Sequence, residues 1–130
     1  MRKLSLLLLT VCFATFVNAQ VTVTNPGNTT PGLAATYTDL ALAVAALNAQ
    51  TAISGPVTIA VDVANPQTAP NGGYTITALL TGASSTNTVT FEGNANTITA
   101  SAALTAGVLH DAIFEIIGSD FITIQNFTMQ

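Results

Sequence analysis

The hydrophobic pattern has a helical period in one stretch of the chain. Leu40, Val44 and Leu47 recur at positions i, i+4 and i+7 within an alanine-rich run, which is the spacing of one helical face. Thr38 stands where an N-cap is needed, and the aspartate after it favours the positive end of the helix dipole. The pattern therefore predicts one amphipathic helix over residues 39–48.

After this helix the pattern changes to the period of a strand. Apolar and polar residues alternate over Val57–Val63, which predicts a strand with one buried face. Further short strands, separated by Gly, Asn and Pro turns, are predicted at Tyr74–Thr77, Thr88–Glu92, Thr97–Thr99, Ala112–Ile116, Phe121–Ile124 and Phe127–Met129. Residues 20–35 are rich in Thr, Asn, Pro and Gly and are predicted to form a leader loop.

One helix followed by many strands of three to five residues indicates an all-β fold. The distances that suggest a repeat are 22 positions from Ile76 to Ile98, 24 from Ile98 to Ile122 and 25 from Val89 to Phe114. Such distances are close to one turn of a β-solenoid. We therefore predict the start of a right-handed parallel β-helix, with the amphipathic helix covering its open end. The alternative is a β-sandwich of about seven strands.

Several segments also occur in an order that is known from another group of proteins. They are Tyr37–Leu40, Leu47–Asn48, Ile53–Ile59, Asn87–Phe91, Asp111–Phe114 and Gly118–Ile124. In this order they resemble the N-terminal region of large bacterial secreted proteins that carry a right-handed parallel β-helix of the pectate-lyase-like type. The resemblance covers residues 36–130. It implies a capping helix, further coils beyond Gln130 and a C-terminal sorting module for delivery to the outer surface.

The N-terminus has the features of a cleavable signal peptide. Arg2 and Lys3 precede an almost wholly apolar stretch, Leu4–Val17, and small residues up to Ala19 suit a signal peptidase. The apolar stretch is shorter than the roughly 20 residues that a membrane-spanning helix needs. We therefore expect residues 1–19 to be removed and the remainder to be secreted or carried to the cell surface, without membrane insertion after cleavage.

Cleavage leaves a chain of unusual charge. Residues 20–130 contain all six carboxylates of the protein and no Lys, Arg or Cys, because the single cysteine is Cys12. Nucleic acids and anionic membranes are bound through basic side chains, so the sequence disfavours both as partners. Extracellular glycans and surface proteins remain as the expected partners. We expect residues 20–35 to be a leader and residues 36–130 to be the cap and first coils of one domain, truncated at its C-terminal end.

The carboxylates are the first candidates for chemistry. They are Asp39, Asp62, Glu92, Asp111, Glu115 and Asp120. Glycoside cleavage uses two carboxyl groups roughly 5 to 9.5 Å apart, and Glu92 with Glu115 is the pair that neighbouring coils would bring together. The alternative for each carboxylate is that it has no chemical role and only helps water to solvate a weakly charged surface. Calcium is the metal that oxygen ligands such as Asp111, Asp120 or Glu92 would suit, but no dense run of Asp and Gly is present.

Other polar patterns carry weaker signals. His110 and Asp111 are adjacent, and adjacent residues of an extended chain point to opposite faces. Three Thr-x-Thr units raise the question of an ice-binding or crystal-binding face; they are Thr75 with Thr77, Thr88 with Thr90, and Thr97 with Thr99. Asn28 and Asn126 begin glycosylation sequons. No catalytic, cofactor-binding or metal site is assigned to any of these residues.

The group of proteins that this chain resembles includes adhesins as well as polysaccharide lyases. Lyases of that fold use a Lys or Arg as the base, and residues 20–130 contain neither. The sequence therefore favours an exported structural or adhesive segment that binds glycans or proteins and holds no complete active site. The alternative is the N-terminal part of a secreted polysaccharide lyase or glycoside hydrolase whose site lies on later coils.

Overall fold

The structure is a computed structural model that describes residues 18–102 and 112–130. In these residues it has one α-helix, one 3-10 turn at Pro26–Asn28 and twelve short strands. The helix α1 spans Leu40–Asn48. The strands are β1 Val21–Thr24, β2 Thr29–Thr30, β3 Thr36–Tyr37, β4 Ala52–Ile53, β5 Val57–Val61, β6 Gln67–Thr68, β7 Tyr74–Ile76, β8 Val89–Glu92, β9 Thr97–Thr99, β10 Phe114–Ile116, β11 Ile122–Gln125 and β12 Thr128–Met129.

The predicted helix is confirmed, with a correction at its N-cap. Asp39 is extended, and its carboxylate accepts a hydrogen bond of 2.8 Å from the Leu42 N–H. Thr38 does not cap the helix, and its hydroxyl lies 3.4 Å from the Asp39 carboxylate instead. The apolar stripe faces inward as its spacing predicts, since Leu40, Ala43, Val44 and Leu47 are all buried.

The predicted strands between residues 57 and 129 are present with small differences at their ends. The prediction that residues 20–35 form a loop is wrong. Val21 and Val23 of β1 are buried at 0% and 4% exposure, and β2 lies in the same stretch. The alternation of Val and Thr in β1 is the same one-sided strand pattern as in β5, but it is short and stands among turn residues.

The largest sheet has five strands in the order β11-β8-β5-β1-β3. The pairs β5–β8 and β8–β11 are parallel, whereas β1 is antiparallel to both β5 and β3. Three smaller sheets have the orders β12-β9-β6, β10-β7 and β2-β4. The first two of these are parallel and the last is antiparallel.

This architecture corrects the predicted fold class. The chain forms several small sheets, mixed and parallel, with one short helix, and not the right-handed parallel β-helix that the sequence suggested. The physical reason is the N-terminal stretch. Because β1 carries its own buried face, it inserts antiparallel beside β5 and makes the main sheet mixed. One feature of the alternative, the β-sandwich, is seen: Phe91 of the five-stranded sheet faces Phe114 of another sheet, with ring centroids 6.2 Å apart.

The predicted repeat distances are also wrong, because the residues chosen do not pair. Val89 lies in register with Val57 and Ile122, and not with Phe114, which pairs with Tyr74. Ile76 pairs with Ile116 and not with Ile98. Long turns of unequal length separate the strands, so a fixed distance in sequence does not reveal which side chains meet.

The core is formed by the inward face of each strand and by the helix. Ile59, Phe91 and Ile124 lie in one register column of the main sheet. The first two are fully buried, whereas Ile124 is partly buried against them. In the described residues every buried side-chain nitrogen and oxygen has a hydrogen-bond partner. None of the helices in this part of the chain has the length and apolarity needed to cross a membrane.

Candidate functional site

The candidate site lies where β8 and β11 end. Their last residues, Glu92 and Gln125, lie side by side in register on the face of the sheet that points away from the core. Alternation along each strand causes this placement, because Phe91 and Ile124 point inward. The two polar side chains therefore stand together at one edge of the main sheet.

Two turns bring further polar groups to the same place. Asn94 and Asn126 follow the strands and have positive φ values of 48° and 59°. Asparagine tolerates this left-handed conformation better than most other side chains. The Ala95 N–H donates to the Asn126 carbonyl at 2.8 Å, so the two turns are joined.

The Glu92 carboxylate is the centre of this arrangement. One oxygen accepts from the Asn94 N–H at 2.8 Å, and the other accepts from the side-chain amides of Gln125 and Asn126, both at 2.9 Å. The Asn94 N–H, and after it the Gln125 amide, lower the pKa of Glu92 from its ordinary value of 4.5. Glu92 is therefore an ionised acceptor and is poorly suited to be a general acid, which needs a raised pKa.

An open cleft of about 510 Å³ lies beside this carboxylate. It is lined by Glu92, Asn94, Ala95, Asn126, Phe127 and Thr128. Phe127 is half-buried and is held by Phe114, with ring centroids 5.7 Å apart. The cleft thus combines a fixed carboxylate, amide groups, a hydroxyl and one aromatic ring, and no basic side chain is among these described lining residues.

The structure separates the carboxylates that the sequence analysis considered as a pair. Glu92 lies between Ala60 and Gln125 in the main sheet, whereas Glu115 lies opposite Thr75 in the sheet of β10 and β7. The idea that neighbouring strands bring Glu92 and Glu115 together is therefore wrong. In the described part of the chain no group of three or more His, Cys, Asp or Glu side chains could hold a metal ion.

The remaining carboxylates have separate surroundings. Asp39 caps the helix, and Asp62 accepts a hydrogen bond of 2.9 Å from the Thr22 hydroxyl. Asp120 lines a second cleft of about 290 Å³ beside Leu79 and Thr81. The adjacent His110 and Asp111, and with them the calcium hypothesis for Asp111, lie outside the described residues.

The other sequence candidates are also separated. Thr75, Thr90 and Thr97, one from each Thr-x-Thr unit, belong to β7, β8 and β9 in three different sheets, so these units do not form one flat face. The side-chain amides of both sequon asparagines make hydrogen bonds: Asn28 donates to the Pro56 carbonyl at 2.9 Å and Asn126 donates to Glu92.

Glu92 was a candidate from the sequence, but its partners Gln125, Asn126 and Asn94 were not predicted. Two signals were present in the sequence: Glu92-Gly93-Asn94 and Gln125-Asn126 each place polar residues directly after a strand with the same alternation. Because Glu92 and Gln125 are far apart in the sequence, only the pairing of β8 with β11 shows that the two segments meet.

Comparison with known proteins gives no further assignment. No protein-family model, no curated protein and no solved structure matches this chain.

Proposed function

We propose that this protein is exported and binds neutral glycans through the Glu92 cleft, as an adhesive or carbohydrate-binding module. The observation that carries the proposal is the carboxylate of Glu92, fixed by three hydrogen bonds beside the ring of Phe127 in an open cleft. Carboxylates and amides accept and donate hydrogen bonds to hydroxyl groups, and an aromatic ring offers an apolar surface beside them.

Charge supports neutral ligands over acidic ones. The described residues contain no Lys, Arg or His, and the cleft itself carries an ionised glutamate. An anionic sugar would meet a negative charge without a compensating cation, which costs free energy. The signal-peptide pattern of residues 1–19 supports export. Residues 20–130 contain no cysteine, so the exported part would be stabilised by packing and hydrogen bonds and not by disulfides.

Calorimetric titration of the full chain with neutral and acidic oligosaccharides tests the proposal. Gluco-, manno- and xylo-trisaccharides serve as neutral probes, and trigalacturonate serves as the acidic probe. We expect at least one neutral trisaccharide to bind and trigalacturonate not to bind. Glu92→Gln should weaken neutral binding about tenfold, because a hydrogen bond to a charged acceptor contributes about 1.5 to 3 kcal/mol.

Asp62→Asn is the matched control, since it removes one carboxylate that lies outside the cleft and keeps an acceptor for Thr22. It should leave the affinity unchanged. Thermal unfolding of both variants verifies that each is folded. Failure of all three neutral trisaccharides to bind, or equal affinity in Glu92→Gln and the parent chain, contradicts the proposal.

A further inference from the structure

The outward face of the main sheet carries a row of threonines that comes from four separate strands. Thr24 of β1, Thr58 of β5, Thr90 of β8 and Thr123 of β11 are paired in register, each with the next. We call these four residues the threonine row. It differs from the Thr-x-Thr units of the sequence, because its members are far apart along the chain and no two lie in one strand.

The strand pattern fixes the direction of these side chains. Core-directed residues flank the row, as Val57 and Ile59 do on either side of Thr58. Thr24 and Thr123 are exposed, and Thr58 and Thr90 are half-exposed. None of the four hydroxyls makes a hydrogen bond to another group in the described part of the chain. The row therefore presents hydroxyls and methyl groups to solvent.

The row lies beside the Glu92 cleft on the same face of the sheet, although none of its four threonines lines the cleft. Glu92 and Gln125 follow Thr90 and Thr123 by two positions on the same face, which is a distance of roughly 6.6 Å along a strand. Adjacent strands lie about 4.8 Å apart, so the four hydroxyls extend roughly 14 Å across the sheet. A ligand seated at Glu92 thus has beside it an uncharged, hydrogen-bonding track that is roughly 14 Å long.

We propose that the threonine row extends the cleft into a binding track for a linear neutral polysaccharide, which lies across the strands and passes beside Glu92. This inference rests on the proposed glycan-binding function. Two observations favour this ligand. Thr90 and Thr123 of the row precede Glu92 and Gln125 by two positions on the same face, and the four side chains of the row are neutral groups that can hydrogen-bond the hydroxyls of an uncharged polymer. Regular strand spacing offers the same contact to each successive sugar unit.

The test compares how tightly the full chain binds ligands of different length. Soluble linear β-glucan, β-mannan and xylan are titrated beside their trisaccharides. The double variant Thr58→Val with Thr90→Val removes two hydroxyls while it keeps the β-branched shape that suits strands. Thr68→Val with Thr99→Val is the matched control, because these two threonines also pair in register but lie in the sheet of β6, β9 and β12.

We expect the polymer to bind more tightly than its trisaccharide. The Thr58/Thr90 variant should weaken polymer binding about tenfold, because it removes two hydroxyls that would hydrogen-bond the polymer. Trisaccharide binding at the cleft and both affinities of the control should stay unchanged.

Three results would overturn the inference without contradicting the proposed function of the cleft. They are equal affinities for polymer and trisaccharide, an unchanged polymer affinity in the Thr58/Thr90 variant, or an equal loss of polymer affinity in the control. Shaping of ice crystals that the Thr58/Thr90 variant abolishes, without any change in polymer binding, would also overturn it. If neither polymer nor trisaccharide binds, the proposed function itself fails.

Discussion

The backbone of Gly93 lies directly against the side chain of Phe127. A methyl group at Gly93 would stand 2.6 Å from both Cγ and Cδ1 of the Phe127 ring, and it would also meet the Asn126 carbonyl oxygen. Gly93 is the first residue after β8, and Phe127 lines the cleft. The position of Phe127 in the cleft therefore depends on the absence of a side chain at Gly93.

We expect Gly93→Ala to disturb both the fold and the cleft. The methyl group must displace Phe127 or the Asn126 carbonyl, and such overpacking costs about 1 to 3 kcal/mol. Urea unfolding measures this loss, and trisaccharide titration should show weakened binding. Gly27→Ala is the control, because nothing lies within 4 Å of the position its methyl group would occupy. Equal stability of the two variants would contradict the packing of Phe127 on Gly93.

Asn96 is expected to stabilise the turn behind the cleft. It is buried at 5% exposure, donates to the carbonyls of Asp62 at 2.8 Å and Gly93 at 2.9 Å, and accepts from the Asn65 N–H at 2.8 Å. Asn96→Ala leaves the Asn65 N–H without its acceptor, whereas the Gly93 carbonyl keeps the Asn96 backbone N–H and the Asp62 carbonyl keeps the Asn65 side-chain amide. An unsatisfied group of this kind costs about 1 to 3 kcal/mol.

Denaturant unfolding of Asn96→Ala should therefore show a loss of about 1 to 3 kcal/mol. Asn71→Ala serves as the control because Asn71 is exposed, and it should change stability by less than about 0.5 kcal/mol. If the two variants are equally stable, Asn96 does not hold the turn.

The position of the helix N-cap is a third prediction. Asp39 accepts the Leu42 N–H and Thr38 does not cap the helix, so Asp39→Ala should cost about 1 kcal/mol and Thr38→Ala only a few tenths. Thermal unfolding of the two variants measures the difference. A larger loss of stability in Thr38→Ala than in Asp39→Ala would show that Thr38 is the N-cap, as the sequence suggested.

The lowered pKa of Glu92 predicts an acid-dependent contribution to stability. Its hydrogen bonds with Asn94, Gln125 and Asn126 favour the ionised form in the folded state. The contribution is thus fully present above the ordinary pKa of 4.5 and is lost as the pH falls through the lower pKa of the folded protein.

The measurement is the difference in unfolding free energy between the parent chain and Glu92→Gln as the pH falls from neutral to strongly acidic. This difference should be constant at neutral pH and should shrink below pH 4.5. The subtraction removes the contributions of the other carboxylates. A difference that does not change with pH would show that Glu92 is not held as an ion by its neighbours.

Local patterns were sufficient for the helix and for most of the strands that follow it. The spacing of Leu40, Val44 and Leu47 identified the helix, because one buried stripe has a fixed period. Alternation identified β5 and β8 in the same way. The same signal in β1 was outweighed by the Pro, Gly and Asn residues after it, so a buried strand was taken for part of a loop.

The arrangement of these elements could not be obtained from spacing. Ile76 and Ile98 are 22 positions apart and were expected to stack on neighbouring coils, but they pair with Ile116 and Met129 in different sheets. Hydrogen bonds between strand edges decide the partner of each strand. Because the loops differ in length, the number of residues between two strands does not reveal whether they pair.

Glu92 shows the division between sequence and structure most clearly. Its position at the end of an alternating strand is a property of residues 88–92 alone, and it already places the carboxylate on the outer face. Its partners, Gln125 and Asn126, and the alignment of Thr90 with Thr58 and Thr123 exist only because β5, β8 and β11 pair in register. Burial of one face acts over a few neighbouring positions, whereas the composition of a surface depends on contacts between segments that are distant in the sequence.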